Sequence, residues 1–138
     1  MSWVADRQTT IYSRVNAILT SKLGDKYADL NITMDNAMLQ GAKFPSIYIT
    51  FLGANERGRT LEGTNINAVE MVVEVHVKTS NSQTQPMIEN NQIAWEVVEA
   101  FKTMSFNILT PTIPTSNIDG VYESVSRFSR IIGQGDII

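Results

Sequence analysis

Apolar residues recur along the chain with two periods, one typical of helices and one of strands. From about Thr9 to Leu23 they follow helical spacing, and Gly24 stands where a left-handed helix cap forms easily. Val4 shares this spacing, which leaves the start of the helix open. A second helix is predicted from Pro86, because proline is tolerated in a first turn. The predicted buried positions are Ile11, Val15, Ile18 and Leu19 in the first helix, and Met87, Asn90, Ala94, Val97, Val98 and Phe101 in the second.

Strict alternation predicts two long strands. In "VEMVVEVHVK" every second residue from Val69 to Val77 is apolar and the intervening residues are mostly charged, which indicates a half-buried antiparallel strand. In "FPSIYITFLG" both alternating sets are largely apolar, so we expect this strand to be covered on both sides. Leu30 to Met34 also alternates and predicts a short strand. The adjoining "MDNAMLQG" fits a helical turn capped by Asp35 equally well.

The C-terminal part has weaker patterns. "FNILTPTIPTSNIDG" reads as a short strand or loop broken by Pro111 and Pro114, with turn residues from Asn117 to Gly120. The last strand, "VYESVSRFSRII", mixes apolar and charged residues on each side. Either a bulge shifts its register near Ser126, or both of its faces contact protein.

These elements predict an α+β fold in a single domain of residues 1–138. We expect one antiparallel sheet of about four strands, with two helices packed on one face. The polar, glycine-rich stretch "GANERGRTLEGTN" separates the two long strands. Connections of that length usually have a function or are disordered, so we interpret residues 53–67 as a projecting β-hairpin arm. The segment Tyr27–Lys43 receives no role.

Charge, cysteine content and the absence of long apolar stretches disfavour several classes of function. The chain of 138 residues has a formal charge of −3 and no cysteine, so it offers neither disulfides nor thiolate metal ligands. Wrapping duplex DNA needs a concentrated basic surface, which this charge balance disfavours. No stretch resembles a signal peptide or a membrane-spanning helix. We therefore expect a soluble protein used in the cytoplasm, without a membrane partner.

The inventory of catalytic groups is short, and we predict no catalytic, cofactor or metal site. His76 is the only histidine, and it lies within a strand between two valines. A structural role is the favoured reading, since a catalytic histidine needs a nucleophile beside it in a cleft. "GQG" at residues 133–135 has no helix after it, so it reads as a flexible tail and not as a phosphate loop. Arg57 and Arg59 are either solubilising residues or cations that pair with acidic groups of a neighbouring subunit. Trp3 and Trp95 are expected to pack locally, with an exposed tryptophan at an end that anchors an interface as the alternative.

Several stretches together resemble the tail-terminator (tail-completion) proteins of long-tailed bacteriophages. They are "FPSIYI" at the start of the first long strand, "ERGRTLEG" in the arm, "NAVEMVVEVHVKT" in the second strand, the helix before "SFNI", and the closing "NIDGVYESVSRFSRIIGQGD". The resemblance covers most of the chain through short motifs and hydrophobic pattern.

The resemblance implies a small α+β subunit of a hexameric ring in the virion neck, assembled in the host cytoplasm. Such a ring stops polymerisation of the tail tube at its head-proximal end and contacts the head–tail connector protein, while DNA passes through without specific binding. Its partners would be other copies of the chain, the tube protein and the connector. The implied contact residues are Arg57, Arg59, Leu61 and Glu62 in the arm, and Arg127 and Arg130 on the last strand.

Two alternatives remain open at the level of sequence. One is a head-completion or connector protein bound on the portal side. The other is a small α+β enzyme or ligand-binding domain that uses His76 or a pair of carboxylates. A nucleic-acid-binding module ranks lower, because no basic stripe with interleaved aromatic residues is present.

Overall fold

The protein is α+β, with two helices and a mixed five-stranded sheet in the part of the chain that the computed structural model describes, residues 2–34, 43–59, 66–80, 83–118 and 120–138. The helices are α1 (Ser2–Leu23) and α2 (Pro86–Thr103). The strands are β1 (Asn31–Thr33), β2 (Ser46–Arg59), β3 (Ile66–Ser80), β4 (Asn107–Ile118) and β5 (Val121–Gly133), and the strand order in the sheet is β1-β2-β3-β5-β4.

The prediction of an antiparallel sheet of about four strands was wrong in the number of strands, which is five, and in their direction. The short strand β1 pairs in parallel with the start of β2, in register from Asn31–Ser46 to Thr33–Tyr48, which makes the sheet mixed. The β2–β3, β3–β5 and β4–β5 pairs are antiparallel. The alternation around Ile32 predicted the strand, but a three-residue strand carries no signal for the direction of its partner.

One hydrophobic core joins both helices to one face of the sheet. Helix α2 contacts β3, β4 and β5, while α1 contacts α2 and β2. The alternation of β3 is confirmed, because its apolar set is fully buried while the opposite set is only half buried. The shared core includes Ile11, Val15 and Leu19 of α1, Ile47 and Ile49 of β2, Val69, Met71, Val73, Val75 and Val77 of β3, and Ile93, Ala94, Val97 and Phe101 of α2.

The helices resolve one open point, the start of α1, and correct two expectations, the cap at Gly24 and the burial of Met87. Helix α1 begins at Ser2, well before Thr9, and buries Val4. Gly24 is not a left-handed cap, since Gly120 is the glycine with positive φ in the described chain. The Gly24 N–H instead donates to the Thr20 carbonyl at 2.9 Å, and a Cβ atom at Gly24 would lie 2.5 Å from that oxygen. Glycine is required there by this close approach. In α2, Met87 is half exposed and Ile93 takes the predicted buried role.

β5 is more regular than its sequence indicates, and β4 is longer than the short strand or loop that was expected. β5 pairs with β3 without a register shift, so the suggested bulge near Ser126 is absent from that ladder. Instead Ser124 and Ser126 point to the helix side and are buried, where their small side chains leave room for α2. β4 is a twelve-residue edge strand containing Pro111 and Pro114. Its pairing with β5 contains three register shifts, as expected for an edge strand that contains proline.

The hairpin of β2 and β3 extends well into the stretch interpreted as an arm. β2 continues to Arg59, which pairs with Ile66, and bulges lie between Phe51 and Gly53 and near Gly58. Much of the predicted loop is therefore strand. Residues 60–65 lie outside the described residues, as does the alternative helical turn after Asp35.

Candidate interaction surface

The sheet has an outer face, opposite the helices, that is lined by polar and charged side chains. It is defined by Glu70, Val72, Glu74, His76 and Lys78 of β3, together with their partners on the neighbouring strands. All five residues are half buried within a single chain. The expectation that β2 is covered on both sides was wrong for one chain, since Tyr48 and Thr50 are half buried on this face and nearby Leu52 is exposed.

Glu74 is the centre of an ion network on the outer face. Its Oε2 accepts a hydrogen bond from Arg127 Nε at 2.7 Å, and its Oε1 lies 2.6 Å from His76 Nε2. The Glu74 side chain is only 13% exposed, although Arg127 is 51% exposed. Burial alone would raise the pKa of Glu74, but the hydrogen bonds and charges of Arg127 and His76 outweigh it and leave that pKa below the usual value. Glu74 is therefore held as a carboxylate.

The network continues along the face through His76. Its Nδ1 lies 3.4 Å from Glu123 Oε2, and Lys78 Nζ lies 3.5 Å from the same oxygen. The Tyr48 ring is tilted against the imidazole with centroids 5.8 Å apart. His76 thus bridges two carboxylates, which is a structural arrangement. No group of three or more metal-ligating side chains occurs among the described residues.

Apolar residues lie at the other end of the outer face, towards the hairpin turn. Ile131, which pairs with Glu70, is 57% exposed, and half-buried Val72 lies between β2 and β5. Leu52, at the β2 bulge, is also exposed. Exposed apolar residues beside a charged network are the composition expected of a protein interface. The sequence analysis did not single out Ile131 or Leu52, whose exposure depends on strand order and on the bulge.

The six predicted contact residues do not form one patch. Arg127 is on the outer face, but Arg130 points to the helix side, where its guanidinium donates to the Met104 carbonyl at 2.7 Å and to the Ile137 carbonyl at 3.0 Å. Arg57 and Arg59 belong to the distal part of β2, and nothing is described of their side chains. Leu61 and Glu62 lie outside the described residues.

The segment after β5 is bound to the domain, in contrast to the flexible tail that "GQG" suggested. Besides the contact from Arg130, Arg7 donates to the Gln134 carbonyl at 2.7 Å and Arg14 donates to the Ile138 backbone oxygen. The Ile138 side chain is buried in the core. Three arginines thus attach this segment to α1 and to the end of α2.

Helix α2 also exposes apolar residues on its outer side. Trp95 is 44% exposed, and Met87 and Ile88 are each about half exposed. The expectation that Trp95 packs locally was therefore wrong, whereas Trp3 does pack against the core. Helical spacing places Ile88 and Trp95, two turns apart, on one stripe.

A cavity of about 550 Å³ lies between the end of α1 and the middle of α2. Its base is apolar, with the three buried residues Leu23, Tyr27 and Ile93. Its rim is polar and is formed by Lys22, Lys26, Gln92 and Glu96.

No protein-family model and no curated protein matches the chain. Among the described residues, no helix is long and apolar enough to cross a membrane.

Proposed function

We propose that this protein is a bacteriophage tail terminator, which forms a ring at the head-proximal end of the tail tube, stops tube polymerisation and joins the tail to the head. The proposal rests first on the resemblance of the stretches from "FPSIYI" to "RIIGQGD" to that family. The α+β architecture is the one that the resemblance implies.

The observation that carries the assembly part of the proposal is exposed apolar surface on both sides of the domain. Ile131 and half-buried Val72 lie on the outer face of the sheet, while Ile88 and Trp95 lie on the outer side of α2. A subunit of a closed ring contacts two neighbours through two different surfaces, because its interfaces are head-to-tail. Tryptophan and isoleucine surrounded by polar residues are suitable anchors for such contacts.

The outer face adds a second argument for protein contact. Glu74, His76, Glu123, Lys78 and Arg127 neutralise one another within the sheet, so a partner can cover this face without leaving an isolated buried charge. The same balance gives nucleic acid no concentrated basic surface. In this proposal DNA passes through the ring without specific binding.

The proposed function is tested by polymerising the tube protein in the presence of the chain. We expect tubes that are capped at one end and stop elongating, with about one ring per tube. A variant with Ile88→Ser and Trp95→Ser should fold normally but lose capping, because both side chains are exposed in the monomer. Unchanged tube lengths at saturating protein would exclude the terminator function.

The position of the protein in the neck is tested by crosslinking from Arg59→Cys, which is unique because the chain has no cysteine. Crosslinks to the tube protein or to a neighbouring copy are expected for a terminator. Crosslinks to portal proteins alone would identify a head-completion or connector protein instead.

A further inference from the structure

His76 lies between two carboxylates on the outer face of the sheet. Its Nε2 lies 2.6 Å from Glu74 Oε1 on β3, and its Nδ1 lies 3.4 Å from Glu123 Oε2 on β5. The His76 side chain is 23% exposed, so neighbouring groups cover most of the ring. Both ring nitrogens therefore face negatively charged oxygen atoms.

Only a protonated imidazole satisfies both contacts with a hydrogen atom. A neutral ring has one N–H group, whereas both nitrogens of an imidazolium ion donate hydrogen bonds. In the neutral ring the hydrogen stays on Nε2, because the contact with Glu74 is the shorter and stronger one. Loss of the proton then leaves the lone pair of Nδ1 opposite Glu123. The contact of His76 with β5 is therefore the one that depends on pH.

The charged neighbours of the imidazole are bound to the same two carboxylates. On β5, Arg127 Nε donates to Glu74 Oε2 at 2.7 Å, and on β3, Lys78 Nζ lies 3.5 Å from Glu123 Oε2. On β2, the Tyr48 ring is tilted against the imidazole, with centroids 5.8 Å apart. In the described part of the chain, these are the titratable groups that face the imidazole from the three strands.

Protonation of the imidazole also balances the charges of the outer face. Among the side chains that the structure describes there, three are acidic and three carry or can acquire a positive charge. They are Glu70, Glu74 and Glu123, and Lys78, Arg127 and His76. With a neutral imidazole the face has one net negative charge, which is unfavourable when a partner excludes water. A partner that covers this face therefore favours the protonated ring.

We propose that His76 makes assembly through the outer face dependent on pH, because a copy of the chain that covers this face binds more tightly when the imidazole is protonated. The inference rests on the proposed function, in which the outer face is one of the two contact surfaces of the ring. Each contact then takes up part of a proton as it forms. Association weakens towards alkaline pH, across the range of pH 5 to 8 in which histidine ordinarily changes charge.

The linkage is tested by measuring self-association by sedimentation, and the concentration needed for half-maximal tube capping, at pH 6 and pH 8. We expect association to be about tenfold weaker at pH 8, which corresponds to about half a proton taken up per contact. Because His76 is the only histidine, its substitution should remove this dependence. Wild-type association of equal strength at the two pH values would overturn the inference.

Two substitutions of His76 should fix the surface in opposite states. His76→Gln cannot be protonated, so it should associate at both pH values as weakly as wild type does at pH 8. His76→Arg keeps its charge and has several N–H groups for the two carboxylates, so it should associate at both pH values as tightly as wild type does at pH 6. Glu99→Gln, on the exposed side of α2, is the matched control and should keep the tenfold change. A pH dependence that persists in His76→Gln would overturn the inference.

Nitrogen NMR of the protein labelled at the ring of His76 tests the bridge without any assembly. We expect the neutral ring at pH 8 to carry its hydrogen on Nε2, next to Glu74, and the charged ring at acid pH to carry hydrogen on both nitrogens. A neutral ring with its hydrogen on Nδ1 would overturn the inference, since the contact with Glu123 would then survive loss of the proton.

The inference and the proposed function fail separately. Tubes capped equally well at both pH values would refute regulation by His76 and leave the proposed function intact. Self-association that depends on pH through His76, without capping of tubes, would refute the terminator function and support the inference. Protein that associates at neither pH, with or without tubes, would overturn both.

Discussion

Arg127 and Glu74 form a direct ion pair between neighbouring strands, with Nε of Arg127 2.7 Å from Oε2 of Glu74 and the carboxylate nearly covered. The two residues are cross-strand partners in the β3–β5 ladder, so the backbone holds them opposite each other. The pair anchors the polar network of the outer face.

Replacing Glu74 should make the free energy of unfolding depend less on pH in the acidic range. Because the folded-state pKa of Glu74 is lowered, its carboxylate stabilises the fold above its usual value of 4.5, and this contribution is lost as the pH falls through the lower folded-state pKa. We expect Glu74→Gln to destabilise the protein by about 1 kcal/mol at pH 7. The difference in unfolding free energy between Glu74→Gln and wild type, measured by urea titration, should become smaller below about pH 4.5.

The matched control is Glu99→Gln, which removes a carboxylate from the exposed pair with Lys102 on α2. Its effect should stay within about 0.5 kcal/mol at every pH. A constant gap between Glu74→Gln and wild type from pH 3 to 7 would contradict the network.

The two arginines of β5 should separate into one that acts in assembly and one that stabilises the fold. Arg130→Met leaves the Met104 and Ile137 carbonyls without their donor, so we expect a loss of about 2 kcal/mol in unfolding free energy. Arg127→Met should cost about 1 kcal/mol or less, because half of that side chain is exposed, but it should weaken assembly. Urea unfolding and sedimentation of both variants check this, and the opposite ranking would refute the assignment.

Asn90 is a buried polar residue that should be costly to replace. Its amide nitrogen donates to the Val77 carbonyl and the Tyr122 carbonyl, each at 3.0 Å, and so joins α2 to β3 and β5. We expect Asn90→Ala to destabilise the protein by about 2 to 3 kcal/mol. Asn91→Ala, at a half-buried position next in sequence, should cost well under half as much in thermal and urea unfolding. Equal losses of unfolding free energy in Asn90→Ala and Asn91→Ala would contradict the assignment of the Asn90 hydrogen bonds.

Tyr27 should resist ionisation until strongly alkaline pH. Its pKa is raised to about 12, so its neutral form stabilises the fold below the usual value of 10.0, and that contribution is lost as the pH rises towards 12. Tyr27→Phe should flatten the decline in stability over this range. The chain has four tyrosines. The difference between the ultraviolet titrations of wild type and Tyr27→Phe at 295 nm isolates the Tyr27 tyrosinate, and its ionisation near pH 10 would contradict the buried position.

Local patterns predicted the elements with the strongest periodicity. β3 alternates without interruption from Val69 to Val77, and its buried and half-buried sets are those that the sequence indicates. The stripe through Ile11, Val15 and Leu19 likewise predicts the buried side of α1. In both elements one physical boundary, between the core and the outside, determines the pattern.

Features that depend on tertiary contacts were not predictable. The parallel pairing of β1 depends on which strand edge is free, and the burial of Ser126 depends on the approach of α2 to β5. Strand alternation alone places Arg127 and Arg130, which are three residues apart, on opposite faces, but which of the two faces the helices depends on the pairing of β5 with β3. Helix α2 carries apolar residues on more than one side, so its sequence alone does not show that Trp95 is exposed.

The central claim is self-assembly into a ring on the tail tube, and negative-stain electron microscopy of the protein mixed with tail tubes of its cognate tube protein tests it most directly. The account predicts a ring of density at one end of each tube, abolished by Ile88→Ser with Trp95→Ser and retained in Glu99→Gln. Bare tube ends at saturating concentrations of a folded protein that remains monomeric would contradict it.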